Sequence, residues 1–125
     1  MIIGCMKNIL FVSPDLSLCA SLLMYFNEKY SVTTTTNFEN VSKILQTEKF
    51  DLVVLDADLT TATERLLKEI SALPVKVPVI LTYVYTVKHQ SMESSIRPFV
   101  NEVFYKPFDL LEVSSKIDRM MSNCN

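Results

Sequence analysis

The sequence predicts an α/β domain: a doubly wound, five-stranded parallel sheet with helices on both faces. Three observations carry this. Short β-branched runs alternate five times with longer segments of helical periodicity. The run "DLVVLD" (51–56) is apolar without alternation, as a strand covered on both faces requires. No linker, repeat or low-complexity tract interrupts the order βαβαβαβαβα, and 125 residues suit one domain.

"NILFV" (8–12) reads as a buried first strand. The triplet "SPD" that follows is a good helix start: Ser13 as N-cap, Pro14 at the first helical position and Asp15 near the positive helix end. "LSLCASLLMYFNEK" (16–29) carries a broad apolar helical face that includes Cys19. "SVTTTT" (31–36) is β-branched but polar, which places it at an edge. In "FENVSKILQTEK" (38–49), Phe38, Val41, Ile44 and Leu45 fall at helical spacing. Thr61 and Glu64 form a capping-box pattern before "RLLKEISAL". "VPVILTYV" (77–84) is the fourth strand and "VFYKP" (103–107) the fifth, stopped by proline. Between them, from Tyr85 to Asn101, the helical pattern is weak and Pro98 marks where a helix should end. Asp109 with Glu112 caps the last helix, in which Leu110, Val113, Ile117 and Met121 share a face that Met120 helps to finish.

Composition excludes several functions. Twelve basic and fourteen acidic residues give a net charge of -2, with no basic stripe to attract nucleic acid or an anionic membrane. No apolar run approaches the roughly 18 residues of a membrane helix. The start "MIIGCMK" reads as a short leader, not a signal peptide, so the single domain spans 1–125 with a core of about 7–121 and a short tail. Cys5, Cys19 and Cys124 have no metal-ligand spacing and read as reduced thiols, which points to the cytoplasm. Gly4 is the sole glycine, so neither a P-loop nor a dinucleotide-type glycine loop exists. His89 is the sole histidine, in a polar segment, and reads as solvated surface.

In doubly wound sheets, function sits at the carboxyl ends of the strands. Those ends carry Ser13–Asp15, Asp56–Asp58, Thr82–Tyr83 and Lys106–Pro107. A carboxylate, a hydroxyl and an ammonium converging there suit either a phosphorylated aspartate or a plain ion pair that stabilises a half-buried carboxylate.

In "ILFVSPD", "KYSV", "KFDLVVLDADL", "VPVILT" and "FYKPFDLLEV", taken in order, the chain resembles the receiver domain of two-component response regulators. The resemblance runs from Lys7 to about Met121. It implies a flavodoxin-like sheet of order 2-1-3-4-5 and phosphoryl transfer from a partner kinase's histidine. Asp56 matches the phosphoacceptor, Thr82 the switch hydroxyl and Lys106 the motif lysine; Asp58 matches the residue whose backbone carbonyl serves the metal.

The departures are equally specific. Ser13 and Pro14 stand where the family places two acids that hold Mg²⁺, and Asp15 matches the position after them. Leu59 and Thr60 replace the usual Met-Pro, Tyr83 a small residue, and Val103 the aromatic three before the lysine. Without the acid pair, Mg²⁺ affinity should be weak, with Asp56, Asp15 and the Asp58 carbonyl as residual ligands. Tyr83, if turned inward, would crowd the phosphoryl position.

The expectation is therefore a pseudo-receiver: a protein-interaction module, not an enzyme. Its partners would be a histidine kinase or an output protein, docking through the fourth and fifth strands and last helix, where two copies could also pair. Tyr83, Tyr85, Phe99 and Phe104 cluster there, some as core and some as contact surface. The alternatives are a working phosphoacceptor at Asp56 and a flavodoxin-like domain that binds a small ligand at the same crevice.

Overall fold

The computed structural model describes residues 6–122, so the short leader before Met6, with Gly4 and Cys5, and the tail with Cys124 lie outside the described residues. The strands are β1 (Asn8–Val12), β2 (Ser31–Thr35), β3 (Leu52–Asp56), β4 (Val79–Tyr83) and β5 (Glu102–Tyr105). All neighbours pair in parallel, in the order β2-β1-β3-β4-β5. The helices are α1 (Leu16–Phe26), α2 (Val41–Thr47), α3 (Thr61–Ser71), α4 (Gln90–Ile96) and α5 (Leu110–Met121). No helix among the described residues is long and apolar enough to cross a membrane.

Strand alternation divides the apolar residues into two cores. Leu10, Val12, Val53, Leu55 and Leu81 face one way and pack with Val41, Leu67, Ile70 and Ile96 of α2, α3 and α4. Ile9, Phe11, Leu52, Val54 and Ile80 face the other way and pack with Leu22, Phe26, Val113 and Ile117 of α1 and α5. β3 is buried along its whole length, which is why its sequence is a continuous apolar run. β2 is the half-exposed edge that its threonines foretold. From β1 the chain passes to β2 on one side and then to β3 on the other. This opens a crevice between the carboxyl ends of β1 and β3.

Two helix starts differ from the sequence expectation by one or two residues. Asp15, not Ser13, is the N-cap of α1, and its Oδ1 accepts from the Leu18 amide at 3.1 Å. Pro14 therefore precedes the cap. Thr60, not Thr61, caps α3 by accepting from the Thr63 amide. In both cases a neighbouring residue of capping type was available, and side-chain reach to the third amide decided. α1 ends at Phe26, and the helix read as continuous over 38–49 is a 3₁₀ turn followed by the short α2. The weakly patterned segment contains two 3₁₀ turns (Val87–His89 and Arg97–Phe99) around the seven-residue α4. Its pattern is weak because α4 sends only Ile96 fully into the core, with Met92 half-buried beside it.

The end of α1 is tied to α5. Lys29 Nζ donates to Asp118 Oδ2 at 2.8 Å, and the Tyr30 hydroxyl donates to Oδ1 at 2.5 Å. The hydrogen bonds from Lys29 and Tyr30 hold the Asp118 carboxyl below its ordinary value of 3.8. A depressed folded pKa stabilises above the unfolded value and is lost as pH falls through the folded one. Asp118→Asn is therefore expected to cost less than about 1 kcal/mol at pH 7, because the pair is exposed. The gap from wild type should close below pH 3.8. Ile117→Ala, at a fully buried position, should cost about 2–5 kcal/mol at every pH. Urea denaturation across pH separates the two.

Candidate functional site

Asp56 closes β3 and is 6% exposed, so its carboxylate needs compensation from the protein. Three side chains supply it. Ser13, the residue after β1, donates from Oγ to Asp56 Oδ2 at 2.7 Å. Thr82, near the end of β4, donates from Oγ1 to Oδ1 at 3.0 Å. Lys106, just past β5, places its ammonium 3.1 Å from Oδ1 and 3.2 Å from Oδ2. Both oxygens thus accept from a hydroxyl and share one positive charge. No buried side-chain nitrogen or oxygen among the described residues lacks a partner.

The sheet register makes this convergence unavoidable. Val12 pairs with Leu55, so the next residues, Ser13 and Asp56, stand opposite each other. Asp56 pairs directly with Thr82. The Lys106 amide donates to the Tyr83 carbonyl at 2.9 Å, which carries the ladder one residue past β5 and sets the lysine at the rim. The Ser13 hydroxyl also accepts from the Asp15 amide at 3.0 Å and so shapes the turn into α1. The sequence reading took Ser13 for a cap. The signal that could have corrected it is positional: Ser13 follows β1 as Asp56 ends β3.

The remaining expected ligands are engaged elsewhere. Asp15 is exposed and spends its carboxylate on capping α1. The Asp58 carbonyl accepts from Thr63 Oγ1 at 2.5 Å. Pro14 is exposed and offers no carboxylate. No group of three or more His, Cys, Asp or Glu among the described residues is placed to hold a metal. A hard dication prefers several oxygen ligands with free lone pairs. Here the one inward carboxylate is already saturated and neutralised by Lys106, so the donor set does not fit Mg²⁺. An apolar cavity of about 10 Å³ lies in the core beneath Ser13, Asp56 and Thr82, walled mainly by side chains such as Phe11, Leu22 and Val113. It is on the order of a single water and belongs to the packing between the sheet, α1 and α5. Cys19 lies beneath, its thiol 3.7 Å from the Ser13 carbonyl. Burial pushes that thiol's pKa up, which makes it inert.

Tyr83 does not crowd the crevice. It follows Thr82 in the strand, so it points to the opposite face, where it is 1% exposed in the core beside Ile96. Its hydroxyl donates to Glu93 Oε2 of α4. The Tyr105 hydroxyl donates to the same carboxylate, 2.9 Å from each oxygen, and Arg97 Nη2 lies 3.2 Å from Oε1. Desolvation and the bond to Glu93 push the Tyr105 phenol up. Desolvation pulls the Arg97 guanidinium down, but Glu93 outweighs it and the net shift is upward. His89 is not free surface as expected; it is half-buried, edge-on to Tyr83 with ring centres 5.7 Å apart. Of the other aromatics, Phe99 and Phe104 pack against the two cores, while Tyr85 stays exposed beside Tyr105 at 5.1 Å. Neither Glu93 nor Tyr105 stood out in the sequence: α4 has no clear apolar period to place Glu93, and Tyr105 reads only as one more residue of β5.

The compensation at Asp56 can be measured. Lys106→Met leaves a buried carboxylate with two neutral donors and is expected to cost about 1–3 kcal/mol at pH 7. Asp56→Asn removes the charge and keeps one hydroxyl donor, the other hydroxyl turning to accept from the new amide NH2, and should cost less. Urea unfolding at pH 7 compares them; equal costs would mean that Lys106 does not neutralise Asp56.

No protein-family model matches the chain, and no curated protein matches it. Solved structures do. A candidate pilus assembly-related protein from Burkholderia pseudomallei aligns over 100% of this chain and 96% of its own, with 24% identity and a TM-score of 0.77. The receiver domain of a signal-transduction histidine kinase from Syntrophus aciditrophicus aligns over 93% and 90%, with 19% identity and a TM-score of 0.81. A CheY-like receiver domain from Methylobacillus flagellatus aligns over 92% and 98%, with 13% identity and a TM-score of 0.78. Strand order, crevice position and these likenesses agree: the chain has the fold of the response-regulator receiver domains.

Proposed function

We propose that this domain is a receiver-type signalling module that works by binding a protein partner, with Asp56 kept as a structural ion pair and not used for Mg²⁺-dependent phosphoryl transfer. One observation carries the reading: both Asp56 oxygens are saturated by Ser13, Thr82 and Lys106. Phosphoryl transfer to a carboxylate depends on positive charge that balances the charge of the transferring group. Here the ammonium that could help is already spent on the ground-state carboxylate. The acids that would recruit a dication are a hydroxyl donor and a proline. The partner surface is assigned to the exposed apolar group at the ends of β4 and β5: Val84, Tyr85, Val87 and Tyr105. The likeness to a candidate pilus assembly-related protein fits a receiver fold that serves an assembly and not only a kinase relay.

The second reading is a working phosphoacceptor, favoured by the convergence of Asp56, Thr82 and Lys106. In it, Asp56 would attack phosphorus as the P–N bond to a kinase histidine breaks. A small-ligand function has little support, since a sequence whose sole glycine is Gly4 has no glycine loop to hold a nucleotide or flavin phosphate.

Incubation with acetyl phosphate and Mg²⁺, followed by intact mass spectrometry, distinguishes the first two. The expected result is no added phosphoryl group. A gain of one group that Asp56→Asn abolishes would overturn the proposal. A Ser13→Asp, Pro14→Asp double variant should acquire saturable Mg²⁺-dependent NMR shifts around Asp56 that wild type lacks at the same concentrations.

A further inference from the structure

We propose that the β2 edge of the sheet, with the adjoining flank of α1, is the surface on which two copies of this chain pair about a twofold axis. α1 is a surface helix without a charge: from Leu16 to Phe26 it has no Asp, Glu, Lys or Arg. α3 and α5, of similar length, carry four charged residues each. The inward face of α1 is Cys19, Leu22 and Phe26. A second stripe, Leu16, Ala20, Leu23 and Met24, recurs at i, i+4, i+7 and i+8 and so runs along one flank. Leu16 is 73% and Met24 81% exposed, and Ala20 and Leu23 are exposed as well. Leu18, on the other flank, packs into the core that α5 shares. The stripe therefore faces away from α5 and toward β2, beside which α1 lies.

β2 continues this surface. Residues 31–36 are also without a charge. Among the described residues β2 pairs with β1 alone, in an unbroken register from Asn8–Ser31 to Val12–Thr35. The Ser31 amide donates to the Lys7 carbonyl, and the Ser13 amide to the Thr35 carbonyl. Alternation then turns the amides and carbonyls of Val32 and Thr34 outward. Sheet edges are ordinarily guarded by lysine, proline or a bulge, and β2 has none of these. A second copy of the same edge supplies what the outward groups need. In an antiparallel pair centred on Thr33, Val32 of one copy exchanges two hydrogen bonds with Thr34 of the other, and the symmetry doubles them. Ala20 and Thr33 lie near the middle of α1 and β2, so an axis at Thr33 also brings the two Ala20 residues together. A small side chain there lets the helix axes approach to about 8–10 Å. With neither element charged, no like charges meet across the axis, as a self-complementary interface requires. Helix and strand are each about 16 Å long. The interface is therefore of the small class, below about 1,200 Å² in total, and the association is weak and reversible. The β4–β5 surface assigned to a protein partner lies at the opposite end of the sheet and remains open in such a pair.

The test is sedimentation velocity on the full chain from about 10 μM to about 1 mM, the range in which a small interface associates. The weight-average mass should climb toward that of two chains. Over the same range, amide hydrogen exchange at Val32 and Thr34 should slow several-fold. Ala20→Glu sets two carboxylates against each other at the axis and should abolish association at every concentration. Ala20→Lys alone should do the same, and an equimolar mixture of A20E and A20K should regain a dimer, now mixed. Should Ala20→Glu fail to fold, Leu16→Glu serves in its place, since an acid is favourable at a helix start. A wild-type chain still monomeric at the highest concentration would overturn the proposal and leave this face to a different protein. A dimer that survives Ala20→Glu, or that leaves the Val32 and Thr34 amides unprotected, pairs through another surface such as the β4–β5 edge and would overturn it as well.

Discussion

A carboxylate at the end of the central strand, almost wholly out of water, has to be neutralised where it stands. Burying an unpaired carboxylate costs several kcal/mol, a large share of the stability of a domain this size. Asp56 is therefore tolerable only if the ends of β1, β4 and β5 all arrive at its oxygens. Ser13, Thr82 and Lys106 do so. Their arrival fixes the register of four strands at the carboxyl edge and shapes the turn into α1 through the second hydrogen bond of Ser13. At the crevice that the crossover opens, the carboxylate is thereby met by the protein's own donors.

The same strand ends serve the opposite face. Extended backbone sends neighbouring residues to opposite sides, so the residues beside Thr82 and Lys106 must project toward α4. Both are tyrosines with polar tips, and both find Glu93. A phenol can fill apolar space and still satisfy its hydroxyl, which is why Tyr83 can be fully buried next to a charged helix. Two carboxylates, one on each face, thus share a pair of dipeptides as their support. The surface beyond them, with Tyr85 packed on Tyr105, is where the exposed apolar groups of β4 and β5 gather.

The fold was legible because its signals are local and redundant. The apolar run of β3, the β-branched edge β2 and the face of Val113, Ile117 and Met121 each report burial through period and composition alone. Asp56, Thr82 and Lys106 could be singled out as strand-end polar residues in an α/β sheet, where strand ends meet. Helix starts were less legible, since Ser13 and Asp15, or Thr60 and Thr61, are equally good caps by type. The choice between them depends on which side chain is placed to reach the third amide. Ser13 was held elsewhere: its hydroxyl donates to Asp56, forty-three residues away in sequence, and its oxygen accepts from the Asp15 amide, which left the Leu18 amide to Asp15.

By itself, then, the sequence determined the layer architecture, the strand that lies at the centre, and the absence of acids at the end of β1, because these follow from residue type and spacing. Only the tertiary structure decided what stands in the place of those acids. It turned Ser13 into a donor to Asp56, gave Asp15 to the helix start and the Asp58 carbonyl to Thr63, and sent Tyr83 away from the crevice to Glu93. Hydrogen-bond partners distant in the chain are chosen by register and face, and a single residue's step along a strand reverses the side to which it points.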